Sequence, residues 1–151
     1  MAKELKQVAA LPVRRNAKGQ LEVLLVTTRQ SRRWVIPKGW PSKRLSDDAA
    51  AAREAQEEAG VSGKLLKRPV GSYSYFKRQE DGFRLVEVTV YLLKVQEEQK
   101  SWKEADERKK RWFPLSMAAK LVQEPALAIM IKGIEAANAR KHPPKPKGVV
   151  V

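Results

Sequence analysis

The stretch GWPSKRLSDDAAAAREAQEEAGV, residues 39–61, decides the fold, because it contains the best-signalled helix of the chain. Ser46–Asp48 opens that helix, since serine can cap it and the two aspartates complement the positive end of the helix dipole. Helix-forming residues continue to Ala59, and Gly60 suits the glycine position that follows many helix ends. The stretch therefore predicts a helix that ends at Ala59.

Three glutamates and an arginine are placed on this helix so that they share a face. Residues three and four apart are neighbours on a helix surface, so Glu54, Glu57 and Glu58 cluster, and Arg53 lies one turn before Glu57. Crowded carboxylates repel one another, and a divalent cation relieves that repulsion, as magnesium does when it also binds substrate phosphates. A solvated helix with ordinary salt bridges is the plainer interpretation, but the glycines on both sides favour a site.

Outward from this helix, the chain mixes strands and helices without regular alternation. Ala51, Ala55 and Ala59 recur every fourth position and predict a helix face that packs closely on a sheet. The predicted strands are Lys6–Arg14, Leu21–Thr28, Trp34–Ile36, Leu65–Lys77, Phe83–Val95 and Arg111–Pro114, with hairpins between the first two and between the fourth and fifth. A loop over 38–45, an exposed charged loop over 97–110 and an amphipathic helix over 124–139 complete the prediction. This order predicts an α+β fold or a mixed sheet with helices on both faces.

Composition excludes several kinds of site. The 151 residues suit one domain, and the absence of cysteine rules out disulfides, thiolate zinc sites and cysteine nucleophiles. The single histidine, His142, makes histidine-centred catalysis improbable, so any metal must be held mainly by oxygen, as Mg²⁺, Mn²⁺ and Ca²⁺ are. The sequence contains no run of 18 apolar residues, so it predicts no membrane span, and its N-terminus lacks a signal-peptide pattern. We expect a cytoplasmic protein.

The net charge of +14 points to a polyanionic partner or substrate. A solubility device is the alternative interpretation of such a charge. The basic residues extend into residues 140–151, which hold three prolines and four basic residues and are expected to form a tail beyond a domain over residues 1–139. The sequence does not indicate an oligomeric state.

Residues 39–61 resemble the Nudix box, which runs Gly, five residues, Glu, seven residues, then Arg-Glu-apolar-any-Glu-Glu-any-Gly-apolar. Eight of its nine fixed positions match here, from Gly39 to Arg53-Glu54 and on to Val61, and the ninth is Leu45 in place of the early glutamate. The resemblance extends over residues 5–139. It implies an α/β/α sandwich with a mixed β-sheet between helices, and Mg²⁺-dependent hydrolysis of a phosphoanhydride (pyrophosphate) bond, with Mn²⁺ as an alternative cation.

The resemblance also implies roles for individual residues. Glu57 and Glu58 would be the principal metal ligands, Glu54 a further ligand or the group that orients the attacking water, and the backbone carbonyl of Lys38 would face the metal. Arg53 would hold Glu57 in place. Leu45 removes a supporting glutamate, which typically costs about 10–100-fold in affinity or activity. The general base of this family often lies outside the box, and the candidates are Glu87, Glu104 and Glu107.

Segments around the box look most like the diphosphoinositol polyphosphate phosphohydrolase branch, which also cuts diadenosine polyphosphates. The departure is Lys38-Gly39-Trp40, where that branch has a run of glycines. Basic side chains suit a phosphate-rich small molecule; the substrate-binding candidates are Lys6, Arg14, Arg29, Arg32, Arg33, Lys109 and Lys110. Two alternatives remain open: an RNA 5′-end pyrophosphohydrolase, and a non-catalytic nucleotide- or RNA-binding Nudix module.

Overall fold

The computed structural model describes residues 5–141, which form eight strands and three helices. The strands are Leu5–Arg15 (β1), Leu21–Thr27 (β2), Trp34–Val35 (β3), Lys38–Gly39 (β4), Val61–Leu65 (β5), Gly71–Gln79 (β6), Gly82–Glu98 (β7) and Lys110–Pro114 (β8). The helices are Asp47–Ala59 (α1), Leu115–Leu121 (α2) and Pro125–Lys141 (α3). No helix in residues 5–141 is long and apolar enough to cross a membrane.

All eight strands belong to one mixed sheet whose main path runs β3-β2-β1-β7-β5. The two central strands, β1 and β7, are parallel, with Leu5 opposite Val86 and Val13 opposite Lys94. The other pairings are antiparallel, and they attach β4 to β1, β6 to β7 and β8 to β2. The short strand β4 thereby places Lys38 and Gly39 beside Ala9 and Val8 of β1.

Helices cover both faces of the sheet, so the expected α/β/α sandwich is confirmed. On one face, α1 packs through alanines against β1 and β7, and Ala51, Ala55 and Ala59 are fully buried, as their spacing predicts. On the other face, α2 and α3 bury Leu115, Leu127 and Ile131 against the sheet. The glutamates of α1 therefore lie on a helix that is fixed by packing along one side.

The predicted helix and both predicted hairpins are confirmed in outline. Gly60 adopts the left-handed conformation (φ 66°), and its N–H donates to the carbonyl of Gln56 at 3.0 Å. Ser46 occupies the N-cap position, but its hydroxyl makes no capping hydrogen bond to the backbone. Instead the Ser46 hydroxyl bonds the carboxylate of Asp48, which lowers the pKa of that exposed group.

Several expectations were wrong or incomplete, and the predicted strand Leu65–Lys77 is divided, because residues 66–70 separate β5 from β6. The strand β5 and the helix α2 were not predicted, and the predicted loop over 38–45 contains β4. The segment 97–110 is not simply an exposed loop, since β7 continues to Glu98 and the side chains of Glu104 and Arg108 are only 14% and 12% exposed. The last helix continues to Lys141, and residues 142–151, with His142, lie outside the described residues.

Candidate active site

A polar cavity of about 240 Å³ opens where α1, β4, β6 and the segment before β8 meet. Its carboxylates are Glu54, Glu58 and Glu104, and its cationic side chains are Arg29, Lys38, Lys77 and Arg108. The remaining lining residues are Gln7, Gly39, Trp40 and Tyr75. Acidic groups thus lie at the centre of a site that basic and aromatic groups surround.

At Gly39, β4 approaches the side chains of α1 closely. A Cβ atom at this position would collide with the carboxyl group of Glu54, which lies directly against the glycine backbone. Glu54 and Glu58 are one helical turn apart, so both carboxyl groups extend from the same side of α1 into the cavity. The first glycine of the box and its helix therefore form one local arrangement.

Glu58 is the most buried acidic group of this cavity, with a residue exposure of only 3%. The backbone N–H of Lys38 donates to its Oε2 at 3.0 Å, and Nη2 of Arg108 lies 3.4 Å from its Oε1. Burial raises the pKa of Glu58 to about 8, Arg108 acts in the opposite direction, and Glu54 raises it further. The carboxyl group is thus held in place while its charge is poorly solvated.

The pKa of Glu54 is raised, like that of Glu58. Burial raises the pKa of Glu54, a hydrogen bond with Glu58 opposes that shift, and the charge of Glu57 adds to it. Two neighbouring carboxyl groups with raised pKa values form a site that a dication would stabilise in the charged form. They supply the hard oxygen ligands that Mg²⁺ prefers, and Mg²⁺ typically needs only one or two protein carboxylates besides water and substrate phosphates. The residues therefore fit a divalent cation, although no three acidic or histidine side chains within residues 5–141 converge as a ready-made metal site.

Glu57 and Arg53 face a neighbouring groove rather than this cavity. The groove is lined by Arg53, Gln56, Glu57, Gln99, Trp102 and Lys103. Oε1 of Glu57 lies 3.9 Å from Nζ of Lys103, a largely exposed side chain, and Glu57 forms this pair in place of one with Arg53. The structure thus brings Glu54 and Glu58 together and leaves Glu57 beside them, within one turn of the same helix.

The segment after β7 contributes to the cavity because its backbone is bonded to the end of α1. The N–H of Gln99 donates to the carbonyl of Gly60 at 2.7 Å, and the N–H of Glu104 donates to the carbonyl of Glu57 at 3.0 Å. Arg108 then donates to Glu104 Oε1 at 2.9 Å and to the carbonyl of Thr27 at 3.1 Å. The sequence did not predict this pairing, because the segment is not helical and a four-residue spacing brings side chains together only on a helix.

The three candidate general bases are placed differently. Glu104 lines the cavity. Glu107 lies outside it and is 3.8 Å from Arg29, while Glu87 is on β7 opposite Lys6 and Ser74. The geometry therefore separates Glu104 from the other two.

The seven predicted substrate-binding side chains do not form one cluster. Only Arg29 lines the cavity. Arg14 lies toward the other end of β1, bonded to Glu22 and Glu98 at 3.1 Å each, and Arg33 pairs with Glu124 at 3.3 Å. Lys110 donates to the carbonyl of Ala59, whereas Lys6, Arg32 and Lys109 are exposed outside the cavity lining. The cations that sequence reasoning missed are Lys77 and Arg108, together with the side chain of Lys38.

The stability of the metal-free protein is expected to fall as the pH rises from about 4.5 to about 8. Glu58 has a pKa of about 8 in the folded chain and an ordinary value near 4.5 when unfolded, so the folded state binds its proton more tightly. Each pKa unit corresponds to about 1.4 kcal/mol, so the loss amounts to a few kcal/mol across this window. Urea denaturation in chelator at pH 5 and pH 8 measures it.

A Glu58→Gln variant is the control for this pH dependence, because the amide does not titrate and the slope should become shallower. Saturating Mg²⁺ should also reduce the slope in the unsubstituted protein, since the cation favours the charged carboxylate. If the stability of the metal-free protein stayed constant or rose between pH 5 and pH 8, the raised pKa of the buried Glu58 would be contradicted.

Known proteins share the sequence and the fold of this chain. A sequence model described as the NUDIX domain matches residues 5–132. The chain is similar to diphosphoinositol polyphosphate phosphohydrolase 3-alpha of Mus musculus, at 38% identity over 105 residues, which cover 68% of this chain and 60% of that protein. It is also similar to Nudix hydrolase 4 of Arabidopsis thaliana, at 33% identity over 107 residues, which cover 68% of this chain and 48% of that protein. The match therefore spans 60% or less of the length of these relatives.

Solved structures share the fold at lower identity. The chain superposes on an Ap4A hydrolase of C. elegans with a TM-score of 0.64 and 22% identity, over 91% of this chain and 100% of that one. The NUDIX domain of Shewanella oneidensis NrtR, complexed with ADP ribose, gives a TM-score of 0.61 and 20% identity, over 93% of this chain and 90% of that one. These likenesses support the sandwich architecture.

Proposed function

Because the chain belongs to the NUDIX domain family, we propose that it is a Mg²⁺-dependent hydrolase of phosphoanhydride bonds in a phosphate-rich small molecule. We propose a diphosphoinositol polyphosphate or a diadenosine polyphosphate as the substrate class, because a diphosphoinositol polyphosphate phosphohydrolase and an Ap4A hydrolase are among the proteins similar to this chain. The observation that carries the proposal is the Glu54–Glu58 carboxyl pair, set against Gly39 within a ring of cationic side chains.

In this proposal the carboxylates of Glu54 and Glu58 hold the cation, and Glu57 joins them when its side chain leaves Lys103. The exposed Glu57–Lys103 ion pair contributes less than about 1 kcal/mol to stability, so it only weakly opposes the movement of the Glu57 side chain into the site. When bound, the cation would polarise a phosphoryl oxygen and lower the pKa of attacking water. Mn²⁺ would suit the same oxygen ligands.

The chain's own residues would perform the other tasks. Arg29 and Lys77 line the cavity and would bind the phosphates that flank the cleaved bond. Glu104 lines the same cavity and would accept a proton from the attacking water, because it is the candidate base nearest the carboxyl pair. Arg108, which bonds both Glu104 and Glu58, would keep these two side chains oriented.

The proposal is tested by phosphate or pyrophosphate release from a substrate panel, with and without Mg²⁺. The panel contains diadenosine polyphosphates, diphosphoinositol polyphosphates, nucleoside triphosphates, ADP-ribose and 5′-triphosphate RNA. We expect Mg²⁺-dependent turnover of at least one of the first two, and its loss in chelator. Turnover of RNA alone would support the RNA 5′-end alternative, and nucleotide binding without any turnover would support the non-catalytic module.

A further inference from the structure

Trp40 differs from the other three tryptophans of the chain, all of which the structure describes. Trp34 packs edge-on against Phe113 with ring centroids 5.0 Å apart. Trp102 and Trp112 lie under the cationic groups of Lys110 and Arg14 at 4.1 and 4.2 Å and are partly buried. Trp40 is 45% exposed. The fold thus packs three tryptophans against structural neighbours and leaves nearly half of the Trp40 side chain exposed to solvent.

The exposed indole lies at the candidate active site. Trp40 follows Gly39 directly and lines the same cavity as Glu54 and Glu58. Nζ of Lys77 is 5.7 Å from the centre of its ring, near the outer limit for a cation–π contact. Pro41 follows, and its ring restricts the backbone at this point. The indole is therefore positioned by its neighbours, while much of its surface remains available to a ligand.

The chemistry of an indole face distinguishes between the two proposed substrate classes. Aromatic faces carry the negative part of a quadrupole and offer phosphate oxygens no favourable contact. A nucleobase has a π-face of its own and stacks on tryptophan, whereas an inositol ring has none. An exposed tryptophan beside phosphate-binding cations therefore matches a ligand in which an aromatic base adjoins a polyphosphate.

We propose that Trp40 is the surface on which a nucleobase of the substrate stacks at the mouth of the Glu54–Glu58 cavity, which makes nucleoside polyphosphates the preferred substrates. This inference rests on the proposed function and narrows it. Lys77, which lies over the same ring and lines the cavity, would contact the phosphates next to the stacked nucleoside.

The other aromatic residues of this region are less suited to the role. Tyr75 lines the cavity, but Nζ of Lys38 lies 5.2 Å over its ring and its hydroxyl donates to Gln7 at 2.7 Å. Phe76 is 69% exposed, but it is outside the cavity lining and alternates with Tyr75 and Lys77 along β6, so it points to the opposite face of the sheet. Trp40 is thus the aromatic side chain that combines exposure with a place at the site.

The first experiment compares steady-state hydrolysis by Trp40→Ala, Trp40→Phe and the unsubstituted protein. Loss of a stacked base should raise KM for a diadenosine polyphosphate roughly tenfold in Trp40→Ala, and Trp40→Phe should recover part of that loss. Hydrolysis of a base-free diphosphoinositol polyphosphate should change much less. Phe76→Ala, which removes a more exposed aromatic ring from the other sheet face, is the control and should leave the hydrolysis of both substrates unaffected.

Equal losses on both substrates in Trp40→Ala would overturn the proposal, because they would show that the indole only shapes the loop. So would an unchanged KM for the diadenosine polyphosphate.

A binding measurement separates this inference from the proposed hydrolysis. ADP that stacks on Trp40 should quench the intrinsic fluorescence of the unsubstituted protein, whereas inorganic pyrophosphate should quench it far less. The ADP-dependent quenching should disappear in Trp40→Phe and persist in Phe76→Ala. A protein that hydrolyses nothing but shows this pattern would retain the stacking site and lose the proposed activity. Absence of ADP-dependent quenching at any attainable concentration would refute the stacking site, whatever the protein hydrolyses.

Discussion

A Glu58→Gln variant should hydrolyse its substrate at least about 1000-fold more slowly than the unsubstituted protein, because a bound cation contributes several kcal/mol of transition-state stabilisation. The substitution removes one of the three carboxyl groups that line the cavity. The amide oxygen can still accept the N–H of Lys38, which donates to Glu58 at 3.0 Å. We therefore expect the variant to fold, and kcat measured at saturating Mg²⁺ gives the effect on the reaction.

The matched control for Glu58→Gln is Glu107→Gln. Glu107 has a half-exposed carboxyl group near Arg29 and lies outside the cavity lining. Its variant should keep its rate within about threefold, since an exposed pair contributes less than about 1 kcal/mol. Glu57→Gln then reports whether Glu57 leaves Lys103 to join the site, in which case it also loses most activity. If Glu58→Gln retained rates within tenfold of the unsubstituted protein, the metal-site assignment would be wrong.

Gly63→Ala is expected to lower the free energy of unfolding by about 3 kcal/mol, at the upper end of ordinary overpacking costs. A Cβ atom at Gly63 would collide with the backbone carbonyl of Lys94 and approach the backbone nitrogen of Gln96 on the neighbouring strand β7. Backbone in a paired strand cannot move as the end of a side chain can. Urea denaturation at one pH, in the presence of chelator, measures the change.

Gly133→Ala provides the same chemical change with the opposite expected sign. Gly133 is an exposed glycine of α3, and an added Cβ would meet nothing within 4 Å. Alanine in a helix interior should stabilise the fold by about 0.5–1 kcal/mol relative to glycine. Two variants that shift stability equally would show that the close approach at Gly63 is not what limits that position.

The parts of the fold that were predictable are those with local signals. The helix α1 has good helix formers between Ser46 and a left-handed glycine, and the β6–β7 hairpin has alternating apolar residues on both sides of a turn. The strand β5 has neither, because its sequence, VSGKL, is short and interrupted by Gly63. The strand β5 forms because β7 extends as far as Glu98 and pairs with it, and such pairing depends on tertiary contacts.

The sequence predicted Glu54 and Glu58 of the acidic half, although Glu57 lies in the neighbouring groove, and it predicted only Arg29 of the basic half. The glutamates of α1 share a face because helix geometry is periodic, so spacing alone placed Glu54 beside Glu58. The cations come from separate elements: Arg29 follows β2, Lys77 lies on β6, and Arg108 precedes β8. Their convergence depends on sheet topology, and a chain with 31 basic residues contains many equally plausible choices.

The parallel pairing at the centre of the sheet also has a consequence for how the chain folds. β1 obtains its principal neighbour only when β7 is present, and β2 is paired along most of its length by β8. Closing such distant pairs costs chain entropy before their contacts can repay it, which slows folding relative to a helical protein of similar size. During synthesis, the first half of the chain would hold the carboxylate helix but lack the strands that fix its position. A nascent polypeptide stalled before Gly82 should therefore remain sensitive to protease, and protection should arise late, when Pro114 has left the ribosome.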